Sequence, residues 1–174
     1  MKKIFSLIAG LLFSLSVLGQ PLPTSEVVNA AMPKGSRLLT KEQLISYINN
    51  NFKISQVPTD KVNLYLLDGL IISFWDLSVN PESKRTLQDS QSEVLEYVGR
   101  NKENVINYSK IVAFNNIQFL LFEYQKQDEV YLWFKSDYNK NNKDINGVIQ
   151  FKKPYEAKAQ AALQTFLGSV HFKE

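Results

Sequence analysis

The 174-residue chain has no cysteine and one histidine, His171. The first absence excludes disulfides, thiolate metal sites and lipid attachment through a thiol. The second leaves Ser-His and Cys-His nucleophile pairs almost nothing to be built from. No G-x-S-x-G, G-x-G-x-x-G, P-loop or H-E-x-x-H pattern occurs. An excess of one charge sign is also missing, since 20 basic and 17 acidic residues give a formal net charge of +3. That balance carries no basic footprint of the kind nucleic acid demands. The absences point away from an enzyme, from nucleic acid and from a bound cofactor.

What is present begins with an apolar run. Lys2 and Lys3 precede "IFSLIAGLLFSLSVL", which is free of charge. Small residues follow, with Val17 and Gly19 placed three and one residues before a cut at Gln20. The run is shorter than the roughly 20 apolar residues of a membrane span, so residues 1–19 read as a signal peptide. A retained N-terminal anchor is the alternative. Cleavage removes two lysines and lowers the net charge to +1, leaving no stable membrane span. Export without disulfides fits a bacterial periplasm or exterior.

Residues 20–37 hold three prolines and no sustained period, and read as a flexible leader. A single domain is expected over 38–174, a length suited to one core. Its first helix places Leu44, Ile45, Ile48 and Phe52 on one face, with Thr40 as N-cap and Gln43 three residues on. "KVNLYLLDGLIISFWDLSV" (61–79) is a hairpin turned at Asp68-Gly69. A second helix follows, opened by Pro81, packed through Leu87, Val94, Leu95 and Val98, and closed by Gly99. Residues 107–136 return to strands broken by the "QKQD" loop, and 145–151 form another strand. The closing helix aligns Tyr155, Ala159, Ala162, Leu163 and Phe166, with Gly168 permitting its end. Without βαβ regularity, this order favours an antiparallel α+β sandwich.

Few residues are candidates for chemistry. His171 lies in "SVHFK" and reads as an edge histidine near the terminus rather than a base. Glu123, Asp128 and Glu129 flank the central hairpin. With Asp137 and Asp144 they could serve a small carboxylate-dependent hydrolase only if two converged in a cleft. Asp137, Asn139, Asn141 and Asp144 place oxygens at alternating positions like a calcium loop. Asn142 and Val148 replace its required glycine and bidentate glutamate, however, so a polar turn is the plainer reading. Asn107-Tyr108-Ser109 matches a glycosylation acceptor, which has little meaning in a bacterial chain. Tyr65, Trp75, Tyr131 and Trp133 could form an aromatic recognition surface, although sheet cover would use the same residues.

From Leu64 onward, "LYLLDGLIISFWD", "NNIQFLLFEY", "EVYLWFKS" and "INGVIQFKKPYEAKAQAALQTFLGSVHFK", together with the helical stretch after Asn80, resemble the Mog1/PsbP-like superfamily. The resemblance spans about 110 residues and rests on element order and apolar pattern. It implies an antiparallel sheet flanked by helices, an α/β/α sandwich. It also implies a mostly non-enzymatic binding or accessory role, with no residue carried over as functional. The occupant expected of such a protein is a protein partner or a small apolar ligand. A carrier of that ligand would hold it in an aromatic-lined pocket.

Overall fold

The computed structural model describes residues 24–53, 57, 60 and 63–174. The export segment expected at 1–19 lies outside them. Asp68 and Gly69 turn the chain with φ of +42° and +91°, the left-handed pair that a two-residue hairpin requires. They fold β3 (Asn63–Leu67) onto β4 (Leu70–Ser78), which follow the two short strands β1 (Val28–Asn29) and β2 (Arg37–Leu38). Asn115 and Asn116, both at positive φ, join β5 (Asn104–Phe114) to β6 (Ile117–Lys126). Gln127, at φ +58°, begins the turn into β7 (Glu129–Ser136). β8 (Lys143–Lys152) then enters between β4 and β7, and β9 (His171–Phe172) pairs with β1.

The main sheet is antiparallel throughout, in the order β2-β3-β4-β8-β7-β6-β5. Three helices, α1 (Lys41–Asn51), α2 (Leu87–Gly99) and α3 (Glu156–Ser169), cover it. Strand alternation divides the side chains between two faces. One face carries Ile72, Phe74, Phe119, Leu132, Phe134 and Ile149 against α3. The other carries Leu64, Ile71 and Val148 against α1, and Phe122 and Tyr124 against α2. The architecture is an α+β sandwich with a large antiparallel sheet flanked by helices.

Gly147 fixes how α3 docks. In register it stands between Phe74 and Phe134, its neighbours on the two flanking strands. A Cβ there would lie 2.0 Å from Phe134 Cζ. The Phe134 ring therefore fills the space that a side chain at 147 would occupy. Phe166 of α3 packs against both flanking rings, with centroids 4.8 Å from Phe74 and 5.6 Å from Phe134.

Local signals held where chemistry was specific. Thr40 and Gln43 form a reciprocal capping box at the start of α1. Five expectations are corrected. Over its described part the leader is packed: Val27, Val28 and Met32 are buried in the α3-side core. Asp76 holds it by accepting from Ser25 Oγ and from the Glu26 amide, each at 2.7 Å. Pro81 opens only a 3₁₀ turn, Pro81–Ser83, because the Thr86/Asp89 capping box starts α2. Ile45 is exposed, and Tyr155 sits in the turn before α3, its ring covering Gly69. Gly168 lies inside α3, which ends one residue later at Ser169.

Two predictions follow from these contacts. Gly147→Ala should lower unfolding free energy by about 3 kcal/mol, the upper range for overpacking. Adding Phe134→Leu should restore part of that loss in a denaturant double-mutant cycle, and strict additivity would contradict the close contact. Asp76→Ala removes two charge-assisted bonds and should cost about 2 kcal/mol. Amide exchange at Val27 and Val28 should then rise more than exchange in the main sheet.

Candidate functional site

The four aromatics expected to share a surface do not share one. Tyr65 faces α3 and is 1% exposed, whereas Trp75, Tyr131 and Trp133 face α1 and α2. Tyr131 is also 1% exposed, so neither tyrosine presents a broad surface. Both are large amphipathic rings on strand faces that helices cover, and sequence alternation does not tell a covered face from an open one. Trp75 and Trp133 are half-buried and meet edge to face, with centroids 6.3 Å apart.

The register explains this meeting. Trp75, Asn146 and Lys135 form a row across β4, β8 and β7, and Ser73, Val148 and Trp133 form the adjacent row. α1 covers one side of these rows and α2 the other, leaving the two indoles at the floor of a cleft. Lys135 is ion-paired with the fully buried Asp144, which also accepts from Asn146 Nδ2 at 3.1 Å. Burial pushes the Asp144 carboxyl upward from its ordinary pKa, and the Lys135 bond opposes that shift. Lys135 and Lys84 also approach the Tyr138 ring, at 5.0 and 5.4 Å from its centroid. Among the described residues, the buried Ser73 Oγ has no hydrogen-bond partner.

Beneath α2 the cleft deepens into a cavity of about 110 Å³, lined by Val94, Phe122, Trp133, Lys135 and Asn146 among others. Sites for drug-sized ligands usually span about 300–1,000 Å³. This cavity suits a single inserted side chain better than a carried apolar molecule. Trp133 continues the aromatic surface inward. Its indole hydrogen-bonds the Tyr124 hydroxyl, whose pKa burial pushes up to about 12, and Tyr124 stacks on Tyr131 at 4.9 Å.

The carboxylates are dispersed. Glu129 is 3% exposed and accepts from Tyr131 Oη at 2.7 Å and from the Lys53 amide at 2.5 Å. Asp144 serves Lys135, and Asp128 lies in the β6–β7 turn. In the 137–144 loop Asn139 Oδ1 accepts from the amides of Asn141 and Lys143, so it holds the turn together. Among the described residues, no three His, Cys, Asp or Glu side chains gather as metal ligands. His171 is exposed on β9 opposite Asn29.

Sequence reading named Glu123 and Asn107 separately but missed that they meet, with Gln160, on the opposite face. Glu123 is 1% exposed and accepts from Asn107 Nδ2 at 2.8 Å and Gln160 Nε2 at 2.7 Å. Asn107 reaches inward because the β5–β6 register shifts between Ile106 and Tyr108, as a β-bulge re-aims a side chain. Tyr108 and Gln160 hydrogen-bond as well, with burial pushing the Tyr108 hydroxyl up to about 12. Nothing in residue order announces the bulge. Burial raises the Glu123 pKa, the amide donors partly offsetting it and the Glu156 charge adding to it.

A raised folded-state pKa means that the unfolded chain releases this proton first. The Glu123 contribution is therefore fully present below the ordinary carboxylate pKa and is lost as pH rises through the folded value. Glu123→Gln should gain stability relative to wild type as pH rises from about 4 to 8. Denaturant midpoints across that range give the comparison. A constant difference at every pH would remove the raised pKa as its cause.

No family model and no curated protein matches the sequence. Its fold does match solved structures. Cyanobacterial PsbP (CyanoP) from Synechocystis has 9% identity and a TM-score of 0.51, with 90% of this chain and 99% of that chain covered. LpqN of Mycobacterium tuberculosis, involved in cell envelope biogenesis, has 8% identity and a TM-score of 0.47, covering 90% and 88%. PA94 of Pseudomonas aeruginosa, a protein of unknown function, has 10% identity and a TM-score of 0.40, covering 86% and 85%. At 9% identity the likeness to cyanobacterial PsbP is one of fold alone, a large antiparallel sheet flanked by helices.

Proposed function

We propose that this is an exported, non-enzymatic binding or accessory domain that recognises a protein partner through the Trp75–Trp133 cleft. The carrying observation is the half-exposed indole pair on a sheet face between two helices. Tryptophan side chains in such partly covered positions supply large contact area at low entropic cost, which makes them frequent anchors of binding. Asn146 and Lys135 lie in the row of Trp75, next to that of Trp133, and would fix the orientation of a polar group on the partner. The 110 Å³ cavity would accept one apolar side chain from it. The dispersed carboxylates offer no acid-base pair to a substrate placed there. Among the described residues no helix is long and apolar enough to cross a membrane, and the apolar segment at 1–19 supports export.

Leu77 follows Trp75 on the same strand face and is 39% exposed, which makes it a suitable reporter position. A photo-reactive residue replacing Leu77 should give a discrete adduct in the producing cell. One replacing Thr165, exposed on α3, should give none. Trp75→Ala should reduce the Leu77 adduct by about tenfold or more, as for a binding hot spot, while the melting temperature shows the domain still folded. An adduct equally strong with Trp75→Ala would place recognition elsewhere.

A further inference from the structure

A second concavity lies at the C-terminal end of α2, away from Trp75. Its volume is about 550 Å³, inside the usual range of small-molecule sites, about 300–1,000 Å³. Tyr124 and Tyr131, stacked at 4.9 Å and both buried, close its inner end. Tyr97 stands at its mouth with 75% of its surface exposed. Arg100, Lys102 and Lys126 line it, and among the described residues no Asp or Glu does. We propose that this is a binding site for a small aromatic anion, its ring against the exposed Tyr97 and its charge held by these three cations. The site shares neither Trp75 nor the cleft with the partner surface, so it stands independently of that reading.

The electrostatics support the sign of the ligand. A helix C-terminus would ordinarily repel an anion through its bare carbonyls. Here the Val98 carbonyl accepts from the amides of Arg100 and Asn101 and from Asn104 Nδ2. Glu129, a buried carboxylate, is held behind Tyr131 by that residue's hydroxyl. Two of the cations have counter-ions at the rim. Arg100 pairs with Glu96 at 2.6 Å and Lys126 with Glu103 at 2.9 Å. Both glutamates are mostly exposed, so these pairs are weak and open to competition. Lys126 itself is only 22% exposed, and its ammonium has three donors of which Glu103 needs one. A partly desolvated cation beside stacked rings favours a charge attached to a planar body over a freely hydrated ion.

Benzoate, acetate and benzyl alcohol separate ring from charge as probes. Titrated into the purified protein, benzoate should shift the amide resonances of Arg100, Lys102 and Asn104 and the Trp133 indole resonance saturably, at about millimolar concentration. Acetate and benzyl alcohol should each bind at least tenfold more weakly, as should benzoate to Lys126→Gln and to Tyr97→Ala. Both substituted side chains are at the surface or rim, so unchanged melting temperatures will confirm intact folding. Thr165→Ala, exposed on α3, should leave the benzoate titration unchanged. Equal responses to acetate and benzoate would reduce the site to a solvated charge patch and overturn the proposal. So would benzoate shifts that fail to saturate or that ignore Tyr97→Ala.

Discussion

The missing side chain at Gly147 is the constraint from which the rest of the architecture follows. Position 147 lies on β8, the strand between β4 and β7. Because nothing projects from it toward α3, Phe134 can lie across the strand, and Phe166 can settle against Phe134 and Phe74. Interiors pack at crystal-like density, so a centre filled by three interlocking rings sets the helix position closely. Ala159 and Ala162, buried on the same helix, let its axis approach the sheet.

A well-sealed α3 face allows the other face to be less complete. α1 and α2 divide it between them, and the strip of β8 and β7 that neither reaches fully holds the tryptophans, Asn146 and the Lys135–Asp144 pair. Buried charge is expensive unless paired and hydrogen-bonded. Asp144 meets that condition, and Glu129 meets it through donors alone. Glu123, on the sealed face, relies on two side-chain amides instead of a cation. These three buried carboxylates are thus committed to partners inside the fold, and the partly buried surface between α1 and α2 carries the two tryptophans.

Much of the fold could be read from local chemistry. Asp68-Gly69 needs left-handed φ, Thr40 with Gln43 satisfies helix-end amides, and the Ala159/Ala162/Phe166 spacing marks a buried helical stripe. These signals act over a few residues and survive any tertiary context. The packed leader was not legible, because Asp76 lies 51 residues from Ser25 and the β9 partner of β1 lies at the other end of the chain. Tyr65 and Tyr131 misled for a related reason: strand alternation gives the face of a residue, not what covers it. Trp75 and Trp133 lie 58 positions apart in the sequence, and their meeting depends on β8 threading between their strands.

That threading also governs when the molecule can fold. As the chain is made from its N-terminus, β4 is complete at residue 78 but its β8 partner begins only at residue 143. Val28 and Asn29 wait longer still, for Phe172 and His171. Lys173 then donates its amide to Val27 at 2.9 Å. The seven-stranded sheet cannot be joined into one until β8 has appeared, and the first strand cannot be locked until β9 has followed. Loop closure over such separations must be met before any contact rewards it. A chain that stops short of β8 therefore holds β2-β3-β4 and β7-β6-β5 as two separate sheets with no strand to bridge them.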